Sequence, residues 1–511
     1  MNSPGIFVFI ICILITMSVE RIDSTQYEKG PVLDHCGVVA AYSSKEFTFY
    51  PRGVSGLHRI NTRGQSGAGV MSFHDDGSIS KFQNKGMVED AFTPEITQEW
   101  KGKRSRSWAF QTRYGTHGNN GKHNLQPIVR ALRSSGEQFS IIHNGNFVKK
   151  NREGDISDTV QFAEELANID IEDWDEKILQ IQNSNTGAWS LVVNTKDAMY
   201  AMRDPYGIRP LSYGIYQDPE TEKNVYVVAS ETSALEAMGI SEFTEVMPGT
   251  VLRFDNDGVT LLQHATNVRR QAQCAFENAY TKDPYSKLHA RREHPKDINI
   301  ATTVADFREK TGRLLALKED PEIVKRADVV IGVPGTGIVG AKTYASALGL
   351  PYVQAIVDDN NGERTFIMEN IDEIAQKVAN HFEFKPTFLR GMKIIIVDDS
   401  VVRGNIIEGL IKLLKEVYGA DEVHIRALFP PVDKPCYLGV ATKEIEELLA
   451  GRHNSDIEKM REEAGADSLV YVTAEDIIEA TGNDQICLGC TVGHFPPVSP
   501  VTIYEANAVG K

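Results

Sequence analysis

The cysteines are the residues of this sequence whose type and spacing indicate chemistry most directly. Cys36 stands in DHCGVVAAY, immediately before a small apolar run of strand character. A protonated thiol is a weak nucleophile, so a reactive cysteine needs an adjacent base, and a free α-amino group titrates close to neutral pH. A lone cysteine ahead of a strand is more often a buried apolar residue than a nucleophile. Cys36 by itself therefore leaves both interpretations open.

Four further cysteines have the number that a metal site requires. With Cys12 in the leader set aside, they are Cys274, Cys436, Cys487 and Cys490. The last two form a C-x-x-C pair, and two distant thiolates can complete a tetrahedral set for zinc or for an iron–sulfur cluster. The spacing does not distinguish these metals, and unrelated buried thiols or a redox pair are also compatible with it. Six cysteines in 511 residues are too few for a disulfide scaffold, which favours a reducing compartment.

An acidic pair ends the apolar run in KIIIVDDSVVRG, at 393–404. The pattern predicts a buried strand, a Gly-containing loop and the start of a helix. Backbone N–H groups at a helix start bind phosphate, and Asp398 and Asp399 could hold ribose hydroxyls or hydrated magnesium. The alternative is an ordinary strand-to-helix turn with two surface carboxylates. The motif favours a sugar-phosphate site over that turn.

The elements that must position these residues fall into two halves. A chain of 511 residues exceeds the size at which a single core stops growing, so two domains are expected. The first half has short apolar runs broken by Gly, Asn and Asp, which predict a β-rich fold. From about residue 300, strands alternate with helical segments, which predicts a parallel α/β sheet. The expected divisions are a leader at 1–35, a first domain at 36–265, a connecting region at 266–299 and a second domain at 300–511.

Charge and the apolar N-terminal segment limit the possible partners. The formal charge of -16 argues against nucleic acid or anionic membrane as a partner, because a phosphate backbone requires clustered Lys and Arg. The apolar segment Ile6–Met17 is shorter than the about 20 residues that cross a bilayer. Its length suits a signal peptide, although MNSPG lacks the usual positive charge. A targeting segment and an extended upstream start are both compatible with this pattern.

Several segments of the first half together resemble the glutaminase domain of the N-terminal-nucleophile amidotransferases. They are TRGQSGAG at 62–69, QTRYGTHG at 111–118, IIHNGN at 141–146, SDT at 157–159 and RDPYGIRPL at 203–211. The resemblance covers most of residues 36–260 and implies an α+β hydrolase fold, an α/β/β/α sandwich. It also implies that removal of residues 1–35 leaves Cys36 as an N-terminal nucleophile that carries its own α-amino base.

The same resemblance implies a role for each polar residue of these segments. The Asn144 side chain and the Gly145 backbone N–H would stabilise the tetrahedral oxyanion. Arg113 would pair with the α-carboxylate of glutamine, and Asp158 would hold its α-ammonium. Alone, each segment has an ordinary interpretation as a turn, a surface cation or a helix cap. Their occurrence together and in this order favours a glutamine site.

The second half resembles the type I phosphoribosyltransferases, an α/β fold. VIGVPGTG at 330–337 resembles their pyrophosphate loop, and KIIIVDDSVVRG resembles their ribose-phosphate signature. The two halves together resemble the glutamine phosphoribosylpyrophosphate amidotransferase family over nearly all of residues 36–500. This implies that ammonia released from glutamine displaces pyrophosphate from phosphoribosyl pyrophosphate and gives 5-phosphoribosylamine, the entry to purine synthesis. The residues implied to bind phosphoribosyl pyrophosphate are Thr336, Asp398, Asp399, Ser400, Arg403 and Gly404, of which Thr336, Asp398 and Asp399 would also hold Mg2+.

Family resemblance further implies a cofactor and partners. One branch of the family holds a structural 4Fe-4S cluster at the positions of CAFE, PCYLG and CLGC, which implies Cys274, Cys436, Cys487 and Cys490 as ligands here. The family also implies a homo-oligomer inhibited by purine nucleotides. A cytoplasmic location is expected, although the apolar leader leaves organelle or secretory targeting open.

Three departures from the family pattern bear on the second substrate. The loop before RTFI, which is basic in the family, reads DDNNGERTFI here, so Asp358 and Asn360 replace cations and the loop would repel pyrophosphate. Gly335-Thr336 replaces Asp-Ser, and Asn405-Ile406 replaces two threonines. Two alternatives follow: an amidotransferase with a changed or lost acceptor, and a non-catalytic nucleotide-sensing homologue.

Overall fold

A computed structural model describes residues 36–113, 122–148, 156–263, 271–288, 302–358, 378, 382–384, 389–440, 442 and 444–496. The strands of the first half are β1 Gly37–Phe47, β2 Gly67–Phe73, β3 Ile79–Lys85, β4 Ser105–Arg113, β5 Ile128–Ala131, β6 Gln138–Phe147, β7 Gly187–Asn194, β8 Met199–Arg203, β9 Ser212–Gln217, β10 Asn224–Ala229, β11 Phe243–Glu245, β12 Val251–Asp255 and β13 Gly258–Gln263. The later strands are β14 Gln273–Cys274, β15 Val329–Gly332, β16 Ile356–Asp358, β17 Phe382–Phe384, β18 Lys393–Asp398, β19 Glu422–Ala427, β20 Ser468–Tyr471 and β21 Ile486–Cys487.

The α-helices of the first half are Tyr50–Arg59, Val88–Ala91, Pro94–Trp100, Asp158–Asn168, Trp174–Ser184 and Thr232–Ala237. Those of the second half are Val304–Ala316, Pro321–Arg326, Gly337–Leu348, Asn405–Lys412, Leu449–Arg452, Ile457–Ala464, Ala474–Thr481 and Gly489–Val492. Short 3-10 turns occupy Asn61–Arg63, Lys122–Asn124 and Ile445–Glu447, and π-helical turns occupy Glu277–Thr281 and Leu413–Val417. No helix in these ranges is long and apolar enough to span a membrane.

Two antiparallel sheets stack face to face in the first half. The seven-stranded sheet has the order β11-β9-β10-β1-β4-β2-β3, and the six-stranded sheet has the order β13-β12-β8-β7-β6-β5. Apolar residues of β1, β6, β7 and β8 fill the space between the sheets. Helices cover the outer faces: Tyr50–Arg59 packs on the first sheet, and Asp158–Asn168 packs on the second. These four layers form the predicted α/β/β/α sandwich.

The second half contains a parallel sheet of order β15-β18-β19-β20. Its strands are buried on both faces, as parallel strands between helices are. Helices Val304–Ala316 and Gly337–Leu348 pack on one face, and helices Asn405–Lys412 and Ile457–Ala464 pack on the other. The predicted fold class is confirmed for both halves, while the exact domain boundaries stay a prediction.

A mixed core joins the two halves. Tyr206 and Ile208 of the first half pack in one apolar cluster with Phe276, Phe429 and residues of the parallel sheet. In the same region β14 and β21 form a small parallel pair in which Cys274 is opposite Cys487. The cysteine-bearing segments therefore lie where the two halves meet.

Strand β1 determines the position of Cys36. It lies near the middle of its sheet between β10 and β4. At its start the Gly37 N–H donates to Thr112 Oγ1 and the Val38 N–H donates to Ser230 Oγ, both at 3.0 Å. A Cβ on Gly37 would lie 2.6 Å from Thr112 Oγ1, so the close approach requires glycine. Cys36 thus begins a strand that is held on both sides.

Candidate active sites

The backbone N–H and the backbone carbonyl of Cys36 are both hydrogen-bonded. Cys36 is 1% exposed. Its N–H donates to Asn144 Oδ1 at 3.0 Å, and its carbonyl accepts from Arg63 Nε at 3.0 Å. Asn144 comes from β6 in the six-stranded sheet, whereas Cys36 precedes β1 in the other sheet. The face-to-face packing of the sheets therefore brings together two residues that are 108 positions apart.

Asn144 and Gly145 have the features that an oxyanion site requires. The Oδ1 atom of Asn144 is occupied by Cys36, while its buried Nδ2 has no hydrogen-bond partner within the described ranges. A buried amide donor without a partner is costly in a folded protein unless a ligand uses it. Gly145 has a φ of +142°, and a Cβ there would lie 2.1 Å from the Ala188 carbonyl oxygen. Only glycine fits at this position.

Arg113 and Asp158, which would bind the two ends of glutamine, are both buried and are linked through Asn124. The Arg113 guanidinium donates to the Asn124 carbonyl, and the Asn124 Oδ1 accepts from the Ser157 N–H at 2.9 Å. Asp158 accepts from the Phe147 N–H at 3.0 Å and from the Thr159 N–H at 2.8 Å. Asn124 thus connects Arg113 to Ser157, the residue before Asp158, and it has no obvious signal in the sequence.

Gln126 connects these residues to β6, the strand that contains Asn144 and Gly145. Its Oε1 accepts from the His143 N–H at 2.7 Å, and its Nε2 donates to Thr159 Oγ1 at 3.2 Å. His143 Nδ1 lies 2.9 Å from the same hydroxyl. Gln126 and Thr159 therefore join the start of the Asp158 helix to the residue before Asn144. Sequence reasoning missed Gln126, and it quoted Thr159 only as part of the SDT segment.

Arg63 also has contacts that the sequence did not reveal, although the segment TRGQSGAG contains it. It is fully buried and donates to Glu231 Oε1 at 2.6 Å and to Glu277 Oε2 at 3.0 Å, in addition to the Cys36 carbonyl. Burial opposes its charge, but Glu277 and Glu231 outweigh burial and raise the pKa of Arg63. Arg209 donates to the second oxygen of Glu277. Two arginines and two glutamates therefore form a buried network beneath Cys36.

The acidic pair lies at the carboxyl end of β18, next to the loop that follows β15. Thr336 Oγ1 donates to Asp399 Oδ1 at 2.8 Å, and Ser400 Oγ donates to Asp399 Oδ2 at 2.9 Å. The structure therefore brings Thr336, Asp398, Asp399 and Ser400 together, as the sequence predicted. A Cβ on Gly337 would lie 3.2 Å from the Val397 carbonyl, so the two loops are in close contact.

Arg403 and Gly404 lie on the turn that leads into the next helix. Gly404 has a φ of +89° and precedes helix Asn405–Lys412. Arg403 forms an ion pair with Glu447 at 3.1 Å on the surface. Ile406 is 51% exposed at the start of the helix, where the family has a hydroxyl. Residues 359–367 and the side chain of Asp358, which include the acidic loop and RTFI, lie outside the described residues.

The environment of Asp398 and Asp399 disfavours two negative charges. Burial raises the pKa of both carboxyls, and repulsion by Asp399 raises that of Asp398 further. The Thr336 and Ser400 hydroxyls partly offset burial at Asp399. A bound cation or ribose hydroxyls would relieve this cost. Two carboxyls buried side by side are therefore not a stabilising contact by themselves.

The four remaining thiols occupy one buried region between the halves. Cys274, Cys436 and Cys490 are buried in the mixed core, with Cys487 packed against it, and all four are free thiols. Burial raises the pKa of every one, that of Cys274 to about 11, and at Cys490 the other three thiols add to the effect. The Cys490 carbonyl accepts from the backbone of Asp433 and Lys434, which ties the Cys490 turn to the Cys436 segment.

Four thiols are a donor set that both zinc sites and iron–sulfur clusters use. In the described part of the chain, no three His, Cys, Asp or Glu side chains form a group that could hold one metal ion. Four thiols that affect one another's pKa in a buried apolar region match the ligands of an iron–sulfur cluster. The residues present are therefore compatible with that cofactor.

Comparison with known proteins agrees with both folds. The family model "Phosphoribosyl transferase domain" matches residues 307–450. The amidophosphoribosyltransferase of Methanothermobacter thermautotrophicus is 30% identical over 499 residues, covering 94% of this chain and 98% of the relative. That of Bacillus subtilis is 31% identical over 483 residues, covering 91% of this chain and 94% of the relative.

A solved structure of the glutamine phosphoribosylpyrophosphate amidotransferase from B. subtilis, complexed with ADP and GMP, matches with a TM-score of 0.75. It is 28% identical and covers 90% of this chain and 97% of its own. The folds and these matches define a class, the glutamine amidotransferases of the N-terminal-nucleophile type that are joined to a phosphoribosyltransferase. The chain belongs to the amidophosphoribosyltransferase family. The predicted family resemblance is thereby confirmed.

Two buried carboxylates, Asp398 and Asp204, allow a test that distinguishes a group used for binding from a group that stabilises the fold. We expect Asp398→Asn to increase the free energy of unfolding by about 1 kcal/mol at pH 8, because it removes a buried charge beside Asp399. The pKa of Asp398 is higher in the folded state than in the unfolded state. Below about pH 4 the group is protonated in both states and does not affect the free energy of unfolding, and as the pH rises above that value its ionisation destabilises the folded state increasingly. The gain should therefore be smaller at pH 5 than at pH 8 in denaturant titrations without Mg2+.

Asp204→Asn is the control, because Asp204 is also buried but accepts backbone N–H groups from Tyr206, Ile208 and Arg209. An amide loses acceptors there and should destabilise the protein by about 2 kcal/mol. Destabilisation by both variants would contradict the assignment of Asp398 to a binding site.

Proposed function

We propose that the chain transfers the amide nitrogen of glutamine to phosphoribosyl pyrophosphate and produces 5-phosphoribosylamine, the first step of purine synthesis. The observation that carries the proposal is the contact between Cys36 N and Asn144 Oδ1, which leaves Asn144 Nδ2 buried and without a described partner. The same chain provides the Thr336–Asp399 contact at the second centre. One chain thus holds a nucleophile with an oxyanion donor and a sugar-phosphate cradle.

In the first half-reaction, the α-amino group of mature Cys36 takes the thiol proton and the thiolate attacks the side-chain amide carbon of glutamine. Asn144 Nδ2 and the Gly145 N–H donate to the oxyanion of the tetrahedral intermediate. The α-ammonium of Cys36 returns its proton to the amide nitrogen, so that collapse of the intermediate expels ammonia and leaves a thioester, which water hydrolyses to glutamate. Asn144 Oδ1 keeps the amino group in place, because it already accepts from this nitrogen at 3.0 Å.

Arg113 and Asp158 select glutamine in this scheme. The guanidinium pairs with the α-carboxylate, and the carboxylate pairs with the α-ammonium, so a free amino acid is favoured over a peptide. Both side chains are buried, which strengthens charge pairing relative to a surface site.

In the second half-reaction, ammonia attacks the anomeric carbon of phosphoribosyl pyrophosphate and pyrophosphate leaves. Asp398 and Asp399 hold the ribose hydroxyls, and Thr336, Ser400, Arg403 and Gly404 bind the phosphate groups. Mg2+, held by Thr336, Asp398 and Asp399 with the substrate, would neutralise the pyrophosphate charge when bound. The turn at Gly404 presents the N–H groups of helix Asn405–Lys412, which suit an anion even where the family's threonine hydroxyls are absent.

Cys274, Cys436, Cys487 and Cys490 would hold a 4Fe-4S cluster that joins the two halves and takes no part in the chemistry. Their burial in the mixed core supports a structural role. A reducing compartment such as the cytoplasm fits cysteines that form no disulfide within the described residues, although some relatives are chloroplastic.

Purine nucleotides are the proposed regulatory ligands, since the B. subtilis structure contains ADP and GMP. Assembly into a homo-oligomer stays a prediction of family membership.

Two reciprocal variants test the proposed function. Cys36→Ala should abolish glutamine hydrolysis and glutamine-dependent synthesis while leaving synthesis from added ammonia, because that reaction uses only the second centre. Asp399→Asn should remove synthesis from both nitrogen sources while leaving glutamine hydrolysis. Coupled assays for glutamate and for pyrophosphate measure the two reactions separately. Loss of the ammonia reaction in folded Cys36→Ala would contradict the two-centre scheme.

The cofactor proposal predicts a defined metal content. Anaerobically purified protein should contain about four iron and four sulfide per chain, with a brown absorbance that bleaches in air. Cys487→Ser should lose this absorbance, whereas Cys36→Ala should retain it, because Cys36 lies outside the buried thiol region. Stoichiometric zinc in place of iron would refute the cluster.

A further inference from the structure

The segment Cys436–Gly439 contacts the glutaminase centre through two backbone carbonyls. Asn146 Nδ2 donates to the Tyr437 carbonyl at 2.7 Å, and Arg209 Nη2 donates to the Leu438 carbonyl at 2.9 Å. Both donors are buried and lie 291 and 229 positions before their acceptors. These two bonds reach from the cysteine segment into the other half of the chain.

The first bond ends next to the oxyanion donors. Asn146 follows Asn144 and Gly145 directly, near the end of β6, and pairs with Ala188 of β7. Its side chain fixes the strand one residue beyond the Gly145 N–H. A misplacement of about 1 Å in a catalytic group can cost about a hundredfold in rate, so a contact at this position has functional weight.

The second bond reaches Cys36 through two ion pairs and one hydrogen bond. Arg209 pairs with Glu277, which accepts from Arg63 Nη2 at 3.0 Å. Arg63 Nε in turn donates to the Cys36 carbonyl at 3.0 Å. Because Arg63, Arg209 and Glu277 are all fully buried, none can lose its partner without leaving an unpaired charge in the core.

Gly439 shows that the approach of Arg209 is closely fitted. Its φ is +111°, and a Cβ there would lie 2.0 Å from Arg209 Nη2. Any side chain at this position would displace the guanidinium from the Leu438 carbonyl.

We infer that the segment Cys436–Gly439 sets the geometry of the glutaminase centre, with Asn146 and Arg209 as positioning residues. Asn146 fixes the oxyanion donors, and Arg209 fixes the Cys36 carbonyl through Glu277 and Arg63. The inference rests on the proposed glutaminase activity. It gives the connection between the halves a catalytic consequence: a change at Cys436 reaches both the nucleophile and its oxyanion donors.

Asn146→Asp is the direct test, since it replaces the donor with a carboxylate that repels the Tyr437 carbonyl. We expect kcat for glutamine hydrolysis to fall about 10- to 100-fold, with KM and the calorimetric affinity for glutamate each within about threefold of wild type. Synthesis from ammonia should stay within about twofold. Asn185→Asp is the matched control, because Asn185 Nδ2 also donates to a carbonyl, that of Ile181 at 2.9 Å, away from the segment. It should leave kcat within about twofold.

Gly439→Ala tests the contact between the segment Cys436–Gly439 and Arg209, and it should also lower kcat for glutamine hydrolysis about tenfold or more. Gly391→Ala is its control, because Gly391 has a φ of +74° and a Cβ there would meet no atom within 4 Å, and it should not lower kcat. Unchanged hydrolysis in folded Asn146→Asp, an equal loss in Asn185→Asp, or a loss confined to KM would overturn the inference. If Asn146→Asp does not fold, normal kcat in Gly439→Ala overturns it and reduced kcat supports it. No hydrolysis by the wild-type protein would instead refute the proposed function.

Discussion

The buried charge of Arg63 is the constraint on which the rest of the structure depends. A guanidinium removed from water is stable only when its hydrogen bonds and its charge are satisfied, and here the Cys36 carbonyl, Glu231 and Glu277 satisfy them. Glu231 lies in the first half and Glu277 in the segment that leads to the second. The pairing therefore fixes the nucleophile and the connecting segment at the same time. If only one of the two carboxylates were present, the network would contain more buried positive charge than negative charge.

The connecting segment is consequently part of both centres. Glu231 also accepts from the Asp283 N–H and from Ser286 Oγ, which folds residues 283–286 back onto the first half. Arg308 of helix Val304–Ala316 donates to the Asn278 and Lys282 carbonyls, and its charge lowers the pKa of Asp399 against the effect of burial. The π-helical turn Glu277–Thr281 thus lies between the arginine under Cys36 and the arginine behind the acidic pair. The described part of the connecting region, residues 271–288, therefore makes polar contacts with both halves.

Much of the fold could be predicted from sequence because its signals are local. Strand-length apolar runs gave the β-rich half, and KIIIVDDSVVRG gave both strand β18 and the acidic pair at its end. The predicted helix after this motif is present, although it continues beyond Lys412 as a π-helical turn and ends before Gly419 in the left-handed region. Ile407, Leu410, Ile411 and Leu414 form its buried face.

The contacts that complete the centres could not be predicted in this way. Arg63 was visible in its motif, but its partners lie 168 and 214 positions away, and nothing local in the chain marks Glu231 or Glu277 as ionic partners. Asn124, Gln126 and Asn146 act through hydrogen bonds to other segments of the chain, so only the packing of the two sheets reveals them. Resemblance supplied the residues that would touch substrate, while the residues that hold them required the structure.

The most direct test is the N-terminus of the active enzyme, since every role assigned to Cys36 depends on a free α-amino group. Intact-mass measurement and N-terminal sequencing of protein with glutaminase activity should show a chain that begins at Cys36, and an active enzyme in which His35 remains attached to Cys36 would contradict the mechanism.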